Sequence, residues 1–266
     1  SRAAHGRAGE PAKFGARIPA MGEIETPEQR VRTGDAPAGG LAVVIGATGG
    51  IGRALAGLLA GQPSFAQVVG LGRSSTPRLD LEDEATIVRA ADHVRSLGPD
   101  LRLMIDATGV LQDGALVPEK AWRELDPAQM ARAFAVNAIG PALLMKHFLP
   151  LMPKRGRAVF ATLSARVGSI GDNKLGGWYS YRASKAALNQ IVRTASIELA
   201  RRAPQALCVA LHPGTVATAL SAPFAKSGSA VLTPANAAQH LLTVIDRLEP
   251  VDSGGFFDWR GAPVPW

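Results

Sequence analysis

Residues 41–266 predict an α/β fold, a single doubly wound parallel sheet with helices on both faces. Three observations carry this reading. Short continuous apolar runs recur along the chain, as expected of strands buried on both sides. Segments of helical periodicity separate them, so each strand returns parallel to the last through a crossover helix. The first apolar run ends in a glycine-rich turn and leads directly into a helix. Apolar residues make up 47% of the 266 residues and aromatics only 5%. The core must therefore be built from Ala, Leu, Val and Ile.

The elements follow in order. LAVVIG (41–46) is the first strand, RALAGLLAG (53–61) the first helix and QVVGLG (67–72) the second strand. Glu82 to Leu97 reads as a helix, LRLMID (101–106) as a strand and Pro127 to about Leu151 as one long helix. RAVFATLS (157–164) is a strand and Tyr179 to about Arg202 a helix. ALCVALH (206–212), a helix from Ala235 to Leu248 and the short strand GGFFD (254–258) complete the set. No repeat and no second domain boundary interrupt it, so 41–266 is expected to be one Rossmann-type domain that binds a dinucleotide and performs the chemistry.

Residues 1–40 differ. They are rich in Gly, Pro, Ala and Arg, without sustained periodicity, and read as a flexible extension. The first twenty residues carry four basic groups and one acid. That weakly resembles an organelle-targeting segment, but the stretch lacks the Ser-rich, amphipathic character of one. A non-native remnant or a start at Met21 accounts for it better, and the expected location is the cytoplasm. The net charge is +7 and the sequence pI about 10.1. The basic residues are scattered rather than clustered with aromatics, which argues against nucleic acid as a partner and fits an anionic cofactor. The lone Cys208 lies in an apolar strand and can form no internal disulfide. The five histidines lack ligand spacing, so no metal site is expected. No apolar run is expected to span a membrane.

The turn after the first strand is Gly46-Ala47-Thr48-Gly49-Gly50-Ile51-Gly52. Glycines here let the backbone approach a pyrophosphate seated on the following helix N-terminus. The spacing is G-x-x-x-G-x-G. Where an NAD-preferring site places an acid at the end of the second strand, this chain has Arg73, followed by Ser74 and Ser75. A guanidinium can bind a 2′-phosphate bidentately, so NADP(H) is the expected cofactor, with NAD(H) as the alternative.

At the other end of the chain stand its two tyrosines, Tyr179 and Tyr181, and only Tyr181 has a lysine four residues on, Lys185. On a helix the two share a face. An ammonium there is expected to lower the phenol pKa toward working pH, so that Tyr181 can give a proton to a carbonyl oxygen or take one from an alcohol. Tyr179 reads as a packing residue. Trp178 reads either as pocket lining or as an apolar staple at the helix start.

With these motifs in order, the sequence resembles the short-chain dehydrogenase/reductase family over about residues 41–266, in the branch of C-factor-like proteins and carbonyl reductases. The matching motifs are the glycine turn, Asp80-Leu81, Asp106-Ala107-Thr108-Gly109, Asn137, Tyr181 with Lys185, and Pro213-Gly214 followed by Val216 and Thr218. The resemblance implies that Tyr181 is the general acid/base, that Lys185 lowers its pKa and holds the nicotinamide ribose, and that Asn137 anchors a water of a proton relay. It implies adenine contacts from Asp80 and Leu81, further cofactor contacts from Ala107, Thr108 and Gly109, and a nicotinamide end held by Pro213, Gly214, Val216 and Thr218. It also implies a homodimer or homotetramer.

Three departures qualify it. Asp-Ala-Thr-Gly stands where the family usually has Asn-Asn-Ala-Gly. The loop GSIGDNKLGGW before Tyr181 is longer than usual. The usual Ser-Ser-x-x-Gly reads Ser164-Ala165-Arg166-Val167-Gly168, so the position of the carbonyl-orienting serine holds Ala165. Ser164 is the expected replacement and Ser169 the reserve. Ser164 can serve only if the strand ends or bulges there, because a one-residue shift reverses side-chain direction. The expected function is NADP(H)-dependent hydride transfer between nicotinamide and a small carbonyl or alcohol. The alternative is a dinucleotide-binding sensor with little catalytic activity, which intact Tyr181, Lys185 and Asn137 argue against. Leu220, Phe224 and Val231, after the strand 206–212, suggest an apolar substrate pocket.

Overall fold

The computed structural model describes residues 39–114, 116–218 and 231–266. Within them lies one sheet of six parallel strands in the order β2-β1-β3-β4-β5-β6. The strands are β1 (Gly40–Ile45), β2 (Phe65–Leu71), β3 (Leu101–Asp106), β4 (Ala158–Leu163), β5 (Ala206–His212) and β6 (Phe256–Asp258). The helices are α1 (Gly50–Ala60), α2 (Glu84–Ser96), α3 (Pro127–Phe134), α4 (Gly140–Phe148), α5 (Tyr179–Arg202) and α6 (Pro234–Arg247). β1 and β4 are buried at every position, as strands covered on both faces must be. β2 is the edge, and it exposes Ala66, Gln67 and Gly70.

Strand alternation divides the core into two clusters. Cys208 and Ala210 face α2, α4 and α5, together with Ile87, Leu144, Phe148 and Leu188. Leu207, Val209 and Leu211 face α1 and α6, together with Leu55, Leu59 and Leu241. Capping residues place the helix starts. Asp83 accepts from Ala85 N at 3.1 Å, so α2 begins after it rather than at Glu82. Asp126 and Thr233 cap α3 and α6 in the same way, at 2.8 and 3.1 Å.

The long helix expected from Pro127 to Leu151 is interrupted by a π-helical turn, Ala135–Ile139. Pro141 explains it. Proline lacks an N–H and its ring crowds the carbonyl four residues back, which here belongs to Asn137, so the α-helical ladder cannot run through. The whole stretch Pro127–Leu151 is also long and apolar enough, by length and composition, to cross a membrane. This corrects the expectation that no apolar run reaches that length. Its apolar side chains serve the core, where Leu144, Met145 and Phe148 are buried.

β1 pairs with β2 on one side and with β3 on the other. The chain therefore departs in opposite directions from the carboxyl ends of β1 and β3, and a crevice opens there.

Candidate active site

The glycine turn lies at that crevice. Gly46 has φ +78° and donates its N–H to Leu71 O at 2.8 Å, and Gly49 donates to Gly46 O at 2.9 Å. A Cβ on Gly52 would fall 2.2 Å from Gly46 O. Gly50 touches Thr218, whose Cγ2 lies 3.0 Å from where a Cβ would stand. The start of α1 has no side-chain cap and no acid in its first turn, so its N–H groups are available to an anion.

A cavity of about 380 Å³ runs from this turn past Gly46, Thr48, Arg73, Asp80, Leu81, Ala107, Thr108 and Gly109. Those eight predicted cofactor residues are thus brought together. Ile51 packs against the α1/α6 cluster instead, and Gly52 lies under the turn. Arg73 is exposed at the cavity's edge. Burial raises the Asp80 pKa, but the Arg78 hydrogen bond at 2.7 Å, the Glu82 N–H and the charges of Arg78 and Arg73 outweigh it and hold the carboxyl below its usual range. Asp106, where the family has Asn, is 1% exposed. It accepts from Thr108 N at 3.1 Å, Thr108 Oγ1 at 2.5 Å and Thr162 Oγ1 at 2.7 Å. The departure thus leaves a satisfied carboxylate that fixes the following loop.

Asn137, on the π turn, is fully buried. Its Oδ1 accepts from Val110 N at 2.9 Å, and its Nδ2 donates to Val110 O at 2.8 Å and Ser184 Oγ at 3.2 Å. It ties the loop after β3 to α5.

A second cavity, of about 350 Å³, is lined by Ala165, Arg166, Trp178, Tyr181, His212, Gly214 and Val216, among others. Tyr181 sits in the first turn of α5, edge-on to Trp178 with ring centroids 6.3 Å apart. The helix start is unusual. Gly176, Gly177 and Trp178 are consecutively left-handed, with φ of +64°, +66° and +52°. Trp178 N donates to Glu119 O at 2.5 Å. The Glu119 carboxylate, 3% exposed, accepts from Ser180 N at 3.2 Å and from Ser180 Oγ. Glu119 therefore caps α5 from a distant loop. Arg182 holds the segment that leads into α5 by donating to Gly177 O and Gly176 O, and ties it to Val167 O. Sequence reasoning missed both residues, because their partners are remote or irregular in sequence.

Two expectations about this end need correction. The first concerns Tyr181 and Lys185. Burial pushes the phenol up to about 12 rather than down, and the buried Lys185 amine down to about 8, with Asp106 pulling it back upward. Lys185 Nζ donates to Leu163 O at 2.7 Å rather than to the phenol. Sharing a helix face is not contact, and desolvation dominates both groups. A stability effect follows. The folded Lys185 pKa lies below its unfolded value, so the unfolded chain binds the extra proton between about pH 8 and 10.5. Stability therefore rises with pH through that window, and at pH 7 the buried charge is a cost. Lys185→Met is expected to raise stability at pH 7 by about 1–2 kcal/mol, once the lost bond to Leu163 O is counted. Chemical denaturation of both proteins at pH 7 and pH 10 would check this.

The second concerns Ser164. Its hydroxyl donates to Asn189 Oδ1 at 2.6 Å and is 4% exposed. β4 runs unbulged into it, with Ser164 N bonded to Leu211 O at 2.8 Å. β4 ends at Leu163 with its register unshifted, and the Ser164 hydroxyl is turned to Asn189 of α5, so Ser164 stays under α5 and Ala165 lines the cavity. Ser169 is 1% exposed. It accepts from Asp172 N at 3.1 Å and donates to Trp266 O at 3.4 Å, so the reserve is engaged as well. Leu220 and Phe224 lie outside the described residues, and Pro213 lies next to His212 and Gly214 of the cavity wall.

Comparison with known proteins bears on this arrangement. A family profile described as Enoyl-(Acyl carrier protein) reductase matches residues 46–251. The chain belongs to the short-chain dehydrogenase/reductase family. As such it is an NAD(P)-dependent oxidoreductase. Among its relatives, the C-signal protein of Myxococcus xanthus is 41% identical over 143 residues, covering 54% of this chain and 82% of that protein. The 1-hydroxy-2-glutathionyl-2-methyl-3-butene dehydrogenase of Rhodococcus sp. (strain AD45) is 31% identical over 205 residues, covering 76% and 84%. The NADPH-bound carbonyl reductase from chicken fatty liver superimposes with a TM-score of 0.75 at 27% identity, over 86% of this chain and 100% of the other. The carbonyl reductase Sniffer of D. melanogaster shares the fold, with a TM-score of 0.73 at 22% identity.

Proposed function

We propose that the protein is an NADP(H)-dependent reductase of small carbonyl compounds, with Tyr181 as the group that exchanges the proton. The observation that carries this reading is the pairing of two cavities. One holds the glycine turn, Arg73 and Ala107–Gly109, and the other holds Tyr181 between apolar side chains and charged ones. The Gly46–Gly52 turn, packed so closely on α1 that Gly52 has no room for a Cβ, and the uncapped start of that helix fit a pyrophosphate. Arg73 would hold the 2′-phosphate, and Asp80 and Leu81 the adenine end. Lys185, Asn137, Pro213, Gly214, Val216 and Thr218 surround the nicotinamide end in this reading. When bound, the cofactor supplies or accepts the hydride.

The chain's own residues handle the proton and the substrate. A phenol held near pKa 12 stays protonated at neutral pH, so Tyr181 Oη is ready to donate to a carbonyl oxygen. Trp178, Leu111, Val167 and Val216 offer an apolar wall beside Tyr181, while Arg166, Asp172, Lys174 and Arg182 line the rest of the cavity, so the site suits a small carbonyl compound with an apolar part and a polar one. Asn137 holds Val110, and Glu119 holds the start of α5, so the cofactor-side loop and the tyrosine are fixed relative to one another. The apolar groove between the outer faces of α4 and α5, flanked by exposed Ile139 and Ile197, suits a second copy of the chain. This is consistent with a homodimer or homotetramer.

The cofactor choice is tested at Arg73. Arg73→Ala is expected to weaken NADPH binding about 10- to 100-fold, the worth of a charge-assisted bond to phosphate, and to leave NADH binding unchanged. Fluorescence titration with both nucleotides reads this directly, and equal losses for the two would reject the 2′-phosphate assignment. The reaction itself is tested by NADPH consumption with a panel of aldehydes, ketones and quinones.

A further inference from the structure

With Ala165 in the serine position and the hydroxyls of Ser164 and Ser169 both engaged, the cavity needs another group to orient a carbonyl beside Tyr181. The cavity lining contains an imidazole with an unused nitrogen. His212 ends β5, and Leu211 before it pairs in register with Leu163. Leu207, Val209 and Leu211 pack toward α1 and α6, and Cys208 and Ala210 toward α5. His212 continues the second series, so its ring lies on the α5 side, where Tyr181 begins that helix. It lines the same cavity as Ala165 and Tyr181.

The His212 Nδ1 is buried and has no hydrogen-bond partner. A buried nitrogen without a partner costs less as a bare lone pair than as an orphaned N–H. The proton therefore belongs on Nε2 of this cavity-lining ring. The charged groups around the ring are Arg166, Asp258 and Arg260. Burial and the two arginines push its pKa down to about 4, against the upward pull of Asp258. The ring is thus neutral at pH 7 and keeps a single N–H.

We propose that His212 takes over the role of the absent serine, donating a hydrogen bond from Nε2–H to the substrate carbonyl oxygen that Tyr181 protonates. This rests on the reductase reading above and adds the residue that orients the substrate. No proton is transferred from the imidazole. It holds the oxygen and polarises the carbonyl, while the phenol supplies the proton.

Two measurements test it. The first is independent of turnover: long-range proton–nitrogen NMR of nitrogen-15 histidine-labelled protein, with His212→Gln identifying the resonance. A neutral Nε2–H tautomer across pH 5 to 8 is expected, and a charged ring or an Nδ1–H tautomer at pH 7 overturns the proposal. The second is kinetic, with 4-nitrobenzaldehyde, cyclohexanone and menadione as probes. His212→Leu is expected to lower kcat/KM about 100-fold, the usual worth of one donor to a developing oxyanion, with NADPH affinity unchanged. Adding Ala165→Ser to that variant restores a hydroxyl at the usual position and should recover most of the loss. Unchanged kcat/KM in His212→Leu, or no recovery in the double variant, overturns the proposal. Failure of the reductase reading looks different, because the wild type then oxidises no NADPH with any probe while the tautomer is still reported.

Discussion

Tyr181→Phe is expected to reduce carbonyl turnover by about 10²- to 10⁴-fold, the range contributed by a positioned proton donor. The substitution removes one oxygen and keeps the ring that packs edge-on against Trp178, so folding and NADPH binding should survive. Tyr181 lies in the turn that Glu119 caps, and that cap does not depend on the phenol. The measurement is NADPH consumption by wild type and variant, beside nucleotide titration and thermal melting of each. Turnover within tenfold of wild type would remove Tyr181 from the reaction. Because burial raises the phenol to about 12, reduction should stay nearly flat from pH 6 to 9 as far as this group is concerned. Alcohol oxidation, which needs the phenolate as base, should climb with pH.

Gly52→Ala should be nearly as severe at the other cavity. The added Cβ would stand 2.2 Å from Gly46 O and 2.7 Å from Gly46 C. Both are backbone atoms of the turn proposed to cradle the pyrophosphate, and neither can swing aside as a side chain could. The turn must open or the start of α1 must withdraw. Overpacking of this kind costs about 1–3 kcal/mol of stability. NADPH affinity should fall by more than the fold does, about 100-fold or beyond, because the displaced atoms are the phosphate-binding ones. By contrast Gly57, on the same helix, has nothing within 4 Å of a built Cβ. Gly57→Ala should leave binding intact and serves as the control. Calorimetric titration and melting curves for the two variants separate a local from a global effect.

Much of this was legible in the sequence. The parallel sheet was, because each strand is a continuous apolar run and each crossover has helical periodicity, and both patterns are local. The glycine turn and the Tyr181–Lys185 spacing were legible for the same reason. Helix starts were read to within three residues: α1 begins at Gly50 rather than Arg53, and α2 at Glu84 rather than Glu82 because Asp83 acts as its cap. The break at Asn137 could have been anticipated from Pro141, which stands four residues on.

Other features depended on neighbours brought together by folding. Whether Ser164 or Ala165 meets the cavity depended on β4 continuing unbulged beside β5 and on Asn189 reaching Ser164 from α5. The direction of the Tyr181 and Lys185 shifts depended on burial, which a four-residue spacing does not report. Glu119 became the cap of α5 only because a loop 61 residues away in sequence packs against Ser180. The role proposed for His212 depends on Ala165, which follows β4 and lines the same cavity. The sequence by itself determined the fold and the order of its motifs, since periodicity and turn chemistry act over a few residues. Only the tertiary structure decided which polar groups line the cavities and how burial shifts their protonation, since desolvation and hydrogen-bond partnership are properties of the assembled neighbourhood.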